Sequence, residues 1–198
     1  MKKKCKCVFL DRDGVINKKA PEGDYIKNWS EFKFLPNVKE DIKKLNKADF
    51  LVIIITNQRG IAKGLMTEED LKDIHTKMIE ELKKSEAKID GIYYCPHDEK
   101  DNCNCRKPKI GMFLKAKEDF NIEMNKSWLV GDSKFDILAG QRAGCKTVLI
   151  KNKFNKNKDL LIKNKEIKAD FILFSLRKTV IKIFYNNYNS IFENKGEL

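Results

Sequence analysis

The stretch Lys6-Cys-Val-Phe-Leu-Asp-Arg-Asp-Gly14 decides how the rest of the chain is read. An apolar run leads straight into two carboxylates set two positions apart, and a glycine follows. The run reads as a strand over Lys6–Leu10, and Asp11 and Asp13 share one side of the chain if it is still extended there. Carboxylates this close repel a phosphate dianion unless a hard cation such as Mg²⁺ lies between them, and oxygen ligands suit that ion. With the cation present, Asp11 can attack phosphorus while Asp13 protonates the leaving alcohol and later activates water. Gly14 permits the sharp turn such crowding needs. An ordinary Asp-Gly turn fits the same four residues, so the reading depends on what the chain supplies elsewhere.

Working outward, strand and helix patterns alternate. Pro36–Ala48 carries Val38, Ile42, Leu45 and Ala48 at helical spacing, and Phe50–Ile55 is a continuous apolar run suited to a strand covered on both faces. Thr67-Glu-Glu-Asp70 reads as a helix N-cap, followed by the stripe Leu71, Ile74, Met78 and Leu82. His75 lies in that helix and is expected on its surface. Strands are predicted at Gly91–Tyr94, Ser127–Val130, Thr147–Ile150 and Asp170–Phe174, and helices at Met112–Phe120, Phe135–Ala143 and Ser175–Tyr185. The alternation predicts an α/β protein, a doubly wound and mostly parallel sheet with helices on both faces. Residues 1–185 make one domain and 186–198 a tail, with the Asn/Lys-rich Lys151–Lys165 as an exposed connector. Ligands of such sheets sit beyond the carboxyl ends of the strands. Asp11 and Asp13, Thr56 and Asn57, and Asp132 all follow apolar strands. Only 42 residues separate Asp13 from Thr56, which leaves no room for a large cap domain.

The net charge of +12 raises the question of nucleic acid, yet 36 of the 41 basic residues are lysines scattered among asparagines. Specific phosphate readers cluster arginine and interleave aromatics, so a solvated lysine surface is the better reading and no nucleic-acid partner is expected. No apolar run approaches the length of a membrane span. The basic start Met1–Cys7 lacks the apolar middle of a signal peptide, and the protein is expected in the cytoplasm, as a monomer. Six cysteines in that reducing compartment do not suggest disulfides. Cys95, His97, Cys103 and Cys105 fall within eleven positions, a Cys₃His set suited to a closed, structural zinc site. The loop ends in Arg106 and Lys107, so a zinc ion there would also fix two cationic side chains.

These motifs together resemble the haloacid dehalogenase superfamily. Phe9–Asn17 is similar to its first signature and Ile55-Thr56-Asn57 to its second. Lys107, in Cys105-Arg-Lys-Pro108, is similar to the third, and Gly131-Asp132 with Asp136 to the fourth. The strings Thr56–Gly64, Asp90–His97 and Cys105–Pro108 resemble, more narrowly, the zinc-loop branch that includes heptose bisphosphate and histidinol phosphate phosphatases. The likeness runs from about Lys6 to Phe184 and departs at Ile110, at the short spacer between His97 and Cys103, and at Ser133. It implies a haloacid dehalogenase-like Rossmannoid fold, with Asp11 as nucleophile through a phospho-aspartate and Asp13 as acid and base. Asp11, Asp132 and the Asp13 backbone would hold Mg²⁺. Thr56, Asn57 and Lys107 would steady the phosphoryl group, and Arg106 would recognise the substrate. The implied substrate is a small phosphorylated sugar, foremost the 7-phosphate of D-glycero-D-manno-heptose 1,7-bisphosphate. Histidinol phosphate is the alternative, and a polynucleotide 3′ end a more distant one.

Overall fold

The structure is a computed structural model that describes residues 3–151 and 168–193. Nearly all of the expected connector lies outside the described residues. Six strands form one sheet: β1 (Lys6–Leu10), β2 (Phe50–Asn57), β3 (Gly91–Cys95), β4 (Trp128–Gly131), β5 (Lys146–Ile150) and β6 (Phe171–Leu173). Their order is β3-β2-β1-β4-β5-β6, and every neighbouring pair is parallel. The helices are α1 (Val38–Lys47), α2 (Glu68–Lys83), α3 (Gly111–Phe120), α4 (Lys134–Ala143) and α5 (Leu176–Glu193).

The strands are apolar throughout because both faces of the sheet are covered, and alternate side chains point to opposite faces. On one face Val8, Leu10, Val52, Ile54 and Val130 pack with Val38 and Ile42 of α1, Leu71 and Ile74 of α2, and Val180 and Ile183 of α5. On the other Cys7, Phe9, Ile53, Ile55 and Leu129 meet Met112, Phe113 and Ala116 of α3 and Ala139 of α4. Each such large side chain removed from water stabilises the fold by ~1.5–3 kcal/mol. Charge is admitted sparingly: buried Asp41 of α1 is paired with Arg177 of α5 at 2.5 Å.

Local signals set the helix ends. Thr67 and Asp70 form a reciprocal capping box at the start of α2, as its sequence predicts. The first helix begins at Val38, after Asn37 in a left-handed conformation (φ 63°), two residues later than Pro36. The last helix continues to Glu193, past its expected end at Tyr185.

Chain direction across the sheet reverses at β1. From β1 the chain steps to β2 and β3 on one side, then returns to β4, β5 and β6 on the other. This switch point opens a crevice at the carboxyl ends of β1, β2 and β4. None of the described helices is long and apolar enough to cross a membrane.

Candidate active site

Beyond Leu10 the backbone stays on the ladder for one more residue, with Asp11 N donating to Val130 O at 2.9 Å. The chain then turns sharply, and Arg12 O accepts from the amides of Val15, Ile16 and Asn17. Gly14 sits in this turn at φ +97°, and a Cβ there would lie 2.6 Å from Asp132 Oδ2. Across the crevice, a Cβ at Gly131 would come within 2.1 Å of Asp136 Cβ. Gly14 is required because the turn after β1 presses on Asp132, and Gly131 because the first turn of α4 folds back over the end of β4.

That packing brings Asp11, Asp132 and Asp136 to one point, with a carboxylate oxygen from each lying within 4.8 Å of the others. The α4 capping box fixes Asp136, which accepts from Ser133 N at 2.9 Å while Ser133 Oγ caps the helix in return. Lys107 reaches in from a distant loop. Its Nζ lies 2.9 Å from Asp11 Oδ1 and 2.5 Å from Asp136 Oδ1, and it donates to Ile55 O at 2.7 Å. Burial alone would discharge this lysine, but Asp11 and Asp136 raise its proton affinity instead. Asp11 is pushed up to about 7, first by burial and then by Asp136, Asp132 and Asp13, against the pull of Lys107. The carboxylates therefore repel one another where Lys107 does not reach. Lys19, half-exposed, lies 3.1 Å from Asp132 Oδ2 on that side. Three converging oxygens with surplus negative charge fit a hard divalent cation.

Asp13 faces elsewhere. Its Oδ1 accepts from Asn17 Nδ2 at 2.9 Å and its Oδ2 from Gln58 Nε2 at 3.1 Å, and Arg12 Nη2 lies 3.2 and 2.9 Å from the two oxygens. Burial is outweighed by the Arg12 charge and these donors, which hold the carboxyl below its usual range. Its carboxylate is outside the Asp11–Asp132–Asp136 group, so any cation contact from residue 13 falls to the backbone. Thr56, buried at the end of β2, accepts from Gln58 Nε2 at 2.9 Å. Asn57 grips the Lys107 main chain, accepting from Lys107 N at 3.0 Å and donating to Lys107 O at 3.2 Å.

Asp11, Asp13, Lys19, Thr56, Lys107 and Asp132 line a cavity of about 290 Å³. A second cavity of about 310 Å³ adjoins it, sharing Lys107 and Phe135 and adding Arg106, Lys109 and Arg142 beside Asp98 and Glu99. Arg106 belongs to this second cavity, bonded to His97 O at 3.4 Å and facing Glu99 at 3.5 Å.

The loop behind it gathers Cys95, His97, Cys103 and Cys105. Sulfur–sulfur separations are 3.6 Å for Cys95–Cys103 and 3.4 Å for Cys103–Cys105, and His97 Nδ1 is 3.6 and 3.3 Å from Cys95 and Cys105. A tetrahedral ion with bonds of ~2.3 Å would set its sulfurs ~3.7 Å apart, so the four donors are at the edge lengths of such a site. Burial works against ionising Cys103, but donation by the Arg106 amide and the neighbouring thiols lowers it to about 7. Burial raises Cys95 and Cys105 at the same time, so without an ion only the Cys103 thiol is disposed to ionise.

The model of the polynucleotide kinase 3 phosphatase family matches residues 6–172. The chain belongs to this family of haloacid dehalogenase superfamily phosphatases. The phosphatase is 39% identical over 165 residues to the D-glycero-alpha-D-manno-heptose-1,7-bisphosphate 7-phosphatase of Campylobacter jejuni, covering 83% of this chain and 93% of the relative. It is 36% identical over 178 residues to the D-glycero-beta-D-manno-heptose-1,7-bisphosphate 7-phosphatase of Haemophilus ducreyi, covering 86% and 94%. Among solved structures, the D,D-heptose 1,7-bisphosphate phosphatase of B. bronchiseptica, crystallised with magnesium and phosphate, superposes with a TM-score of 0.82 at 30% identity. That match covers 91% of this chain and 99% of the other.

Of the residues expected at the phosphatase's site, Asp11, Asp13, Thr56, Asn57, Lys107 and Asp132 line one crevice, and Arg106 lines its neighbour. Sequence reasoning missed Arg12, Asn17 and Gln58, and it placed His75 wrongly. His75 is not on the helix surface: it is 8% exposed, with Nε2 3.3 Å from Arg12 Nη1. The signal was present, since position 75 is four residues after Leu71 and borders the apolar stripe. Period-two spacing from Thr56 likewise points to Gln58.

Proposed function

We propose that this phosphatase removes the 7-phosphate of D-glycero-D-manno-heptose 1,7-bisphosphate with Mg²⁺, and that a structural zinc ion shapes its substrate loop. The observation that carries the reading is the pair of adjoining cavities that share Lys107. One holds the Asp11 carboxylate, and the other is edged by Arg106, Lys109 and Arg142. A first cavity that Mg²⁺ would make fit for phosphate, beside a second edged by arginine and lysine, suits a substrate with two phosphates better than histidinol phosphate, whose second end is cationic. The names of the relatives agree with this choice.

Asp11 attacks phosphorus, and the bond from phosphorus to the sugar oxygen breaks as Asp13 gives that oxygen a proton. In the second half, water attacks the phospho-aspartate while Asp13 takes its proton, releasing phosphate and the Asp11 carboxylate. Asp13 rests as the anion, ready for this second step. Entry of the phosphate charge beside it raises its proton affinity for the first. Lys107 balances charge on Asp11 and the phosphoryl oxygens, and Thr56 offers its hydroxyl to the same group. Mg²⁺ held by Asp11, Asp132 and the Asp13 main chain, with Asp136 behind, would neutralise the remaining phosphoryl charge. Cys95, His97, Cys103 and Cys105 would hold zinc with all four protein ligands, and its contribution would be to fix Arg106 and Lys107.

The test is kcat/KM on both anomers of heptose 1,7-bisphosphate, on histidinol phosphate and on generic sugar phosphates. One heptose anomer is expected to be preferred, with phosphate released from C7. Faster turnover of histidinol phosphate, or release from C1, would overturn the assignment.

A further inference from the structure

Arg12 is a fully buried cation to which the reaction above gives no task. Burying a guanidinium is costly, and its Nε has no hydrogen-bond partner among the described residues, which adds to the cost. The other two nitrogens both have partners. Nη2 lies 2.9 Å from Asp13 Oδ2, 3.2 Å from Oδ1 and 3.1 Å from Gln58 Oε1. Nη1 meets His75 Nε2 at 3.3 Å. A guanidinium can only donate, so this imidazole nitrogen accepts and the ring proton sits on Nδ1. Consistent with a neutral ring, burial and then the Arg12 charge lower His75 to about 3. The imidazole is itself held between α2 and β3, edge-on to Tyr94 with ring centroids 6.2 Å apart, and Tyr94 Oη donates to Glu68 at 2.8 Å.

We propose that Arg12, seated by His75, is a positioning residue that aims the Asp13 carboxyl at the leaving-group oxygen. With Nη1 tied to the imidazole, the planar guanidinium cannot turn about its Cδ–Nε bond, and Nη2 stays on Asp13 and Gln58. Proton transfer needs a donor oxygen within ~3.2 Å of the bridging ester oxygen. A loosened Asp13 would therefore lose rate with no change in the charge or identity of the acid. This inference rests on the phosphatase reading and deepens it, assigning specific work to a helix residue outside the crevice.

The experiment compares kcat/KM for two esters, because that ratio reports only the steps through loss of the leaving group. A sugar phosphate expels an alkoxide and needs the proton, while 4-nitrophenyl phosphate expels a stable phenolate and does not. In His75→Leu we expect kcat/KM for the sugar phosphate to fall by about tenfold, and that for the nitrophenyl ester by less than about twofold. His75→Gln, whose amide oxygen restores an acceptor for Nη1, should recover most of the loss. Arg12→Lys provides a second route if His75→Leu does not fold. One ammonium nitrogen cannot occupy the places of both Nη1, on His75, and Nη2, on Asp13 and Gln58, so the same ester-selective loss is expected. An equal fall on both esters would mean general damage to the site, and no fall on either would mean Asp13 needs no such support. Either result overturns the proposal. Wild-type protein inert towards both esters would instead sink the phosphatase reading.

Discussion

The two clusters that could hold metal ions meet at residues 105–107, yet they are built in opposite ways. Asp11 follows β1, whereas Asp132 and Asp136 belong to the β4–α4 junction more than a hundred residues later, and all three are buried. The sheet order alone makes them converge, and Lys107 already balances part of their charge. Cys95, His97, Cys103 and Cys105 come from one loop and span buried Cys95 to exposed His97. Ion pairs of Arg59 with Asp98 at 2.7 Å and of Arg106 with Glu99 at 3.5 Å brace that loop, and its sulfur and imidazole groups face one another. The fold presents the first cluster at a cost, whereas the second would gain further stability from the ion it binds. Removing a ligand should therefore have opposite consequences for activity and stability in the two places.

The largest effect is expected at Asp11. Asp11→Asn should lower turnover by more than ~10⁴-fold, because an amide cannot form the phospho-aspartate. The melting temperature of the metal-free variant should be no lower than that of wild type, since a repelled, buried carboxylate is gone. Asp13→Asn should cost ~10²–10⁴-fold through lost proton transfer. A marked drop in melting temperature for Asp11→Asn would break the comparison. Next, EDTA should abolish activity and Mg²⁺ restore it. Asp132→Ala should weaken Mg²⁺ binding in calorimetry, where unchanged affinity would remove Asp132 from the cation site.

A smaller catalytic effect and a larger structural one are expected in the loop. Purified protein should contain about one zinc per chain, and Cys103→Ser should release it. The melting temperature should then fall by ~5–10 °C, equivalent to ~2–3 kcal/mol. Loss of kcat/KM should be greater for the bisphosphate than for a nitrophenyl ester, which depends less on Arg106. Freshly purified protein without zinc, or a variant of unchanged selectivity, would end the positioning role.

The smallest effect concerns His75. Its pKa is lowered to about 3 in the fold by burial and Arg12, against ~6.5 in the unfolded chain. Between these values the unfolded state binds the extra proton, so stability is complete above pH ~6.5 and declines as pH falls. At pH 5 the loss should be ~2 kcal/mol. It should be absent from His75→Gln, so parallel pH–melting curves for the two proteins would contradict the buried neutral ring.

Features carried by near neighbours in the chain were legible without coordinates. The continuous apolar runs of β1 and β2, the Thr67 cap, the Asp11/Asp13 pair and the cysteine loop each depend on residues within about a dozen positions. Local sterics and hydrogen bonding act at that range. The end of α5 was less legible, because Asn186, Asn187 and Asn189 are poor helix formers, although Tyr188, Ile191 and Phe192 keep the helical spacing.

Sequence by itself determined an α/β sheet with chemistry at its strand ends, and it named most of the residues that gather there. Tertiary structure decided which of them touch. Lys107 reaches Asp11 across 96 positions, and Arg12 reaches His75 across 63. Asn57 spends its side chain on the Lys107 backbone rather than facing the cavity alone. Arg106 is carried into a second cavity beside the first. The physical reason is that partner choice for a buried charge follows from strand order and helix packing, which bring distant segments together. A buried guanidinium must find its acceptors among whatever those segments present, and no spacing along the chain encodes that choice.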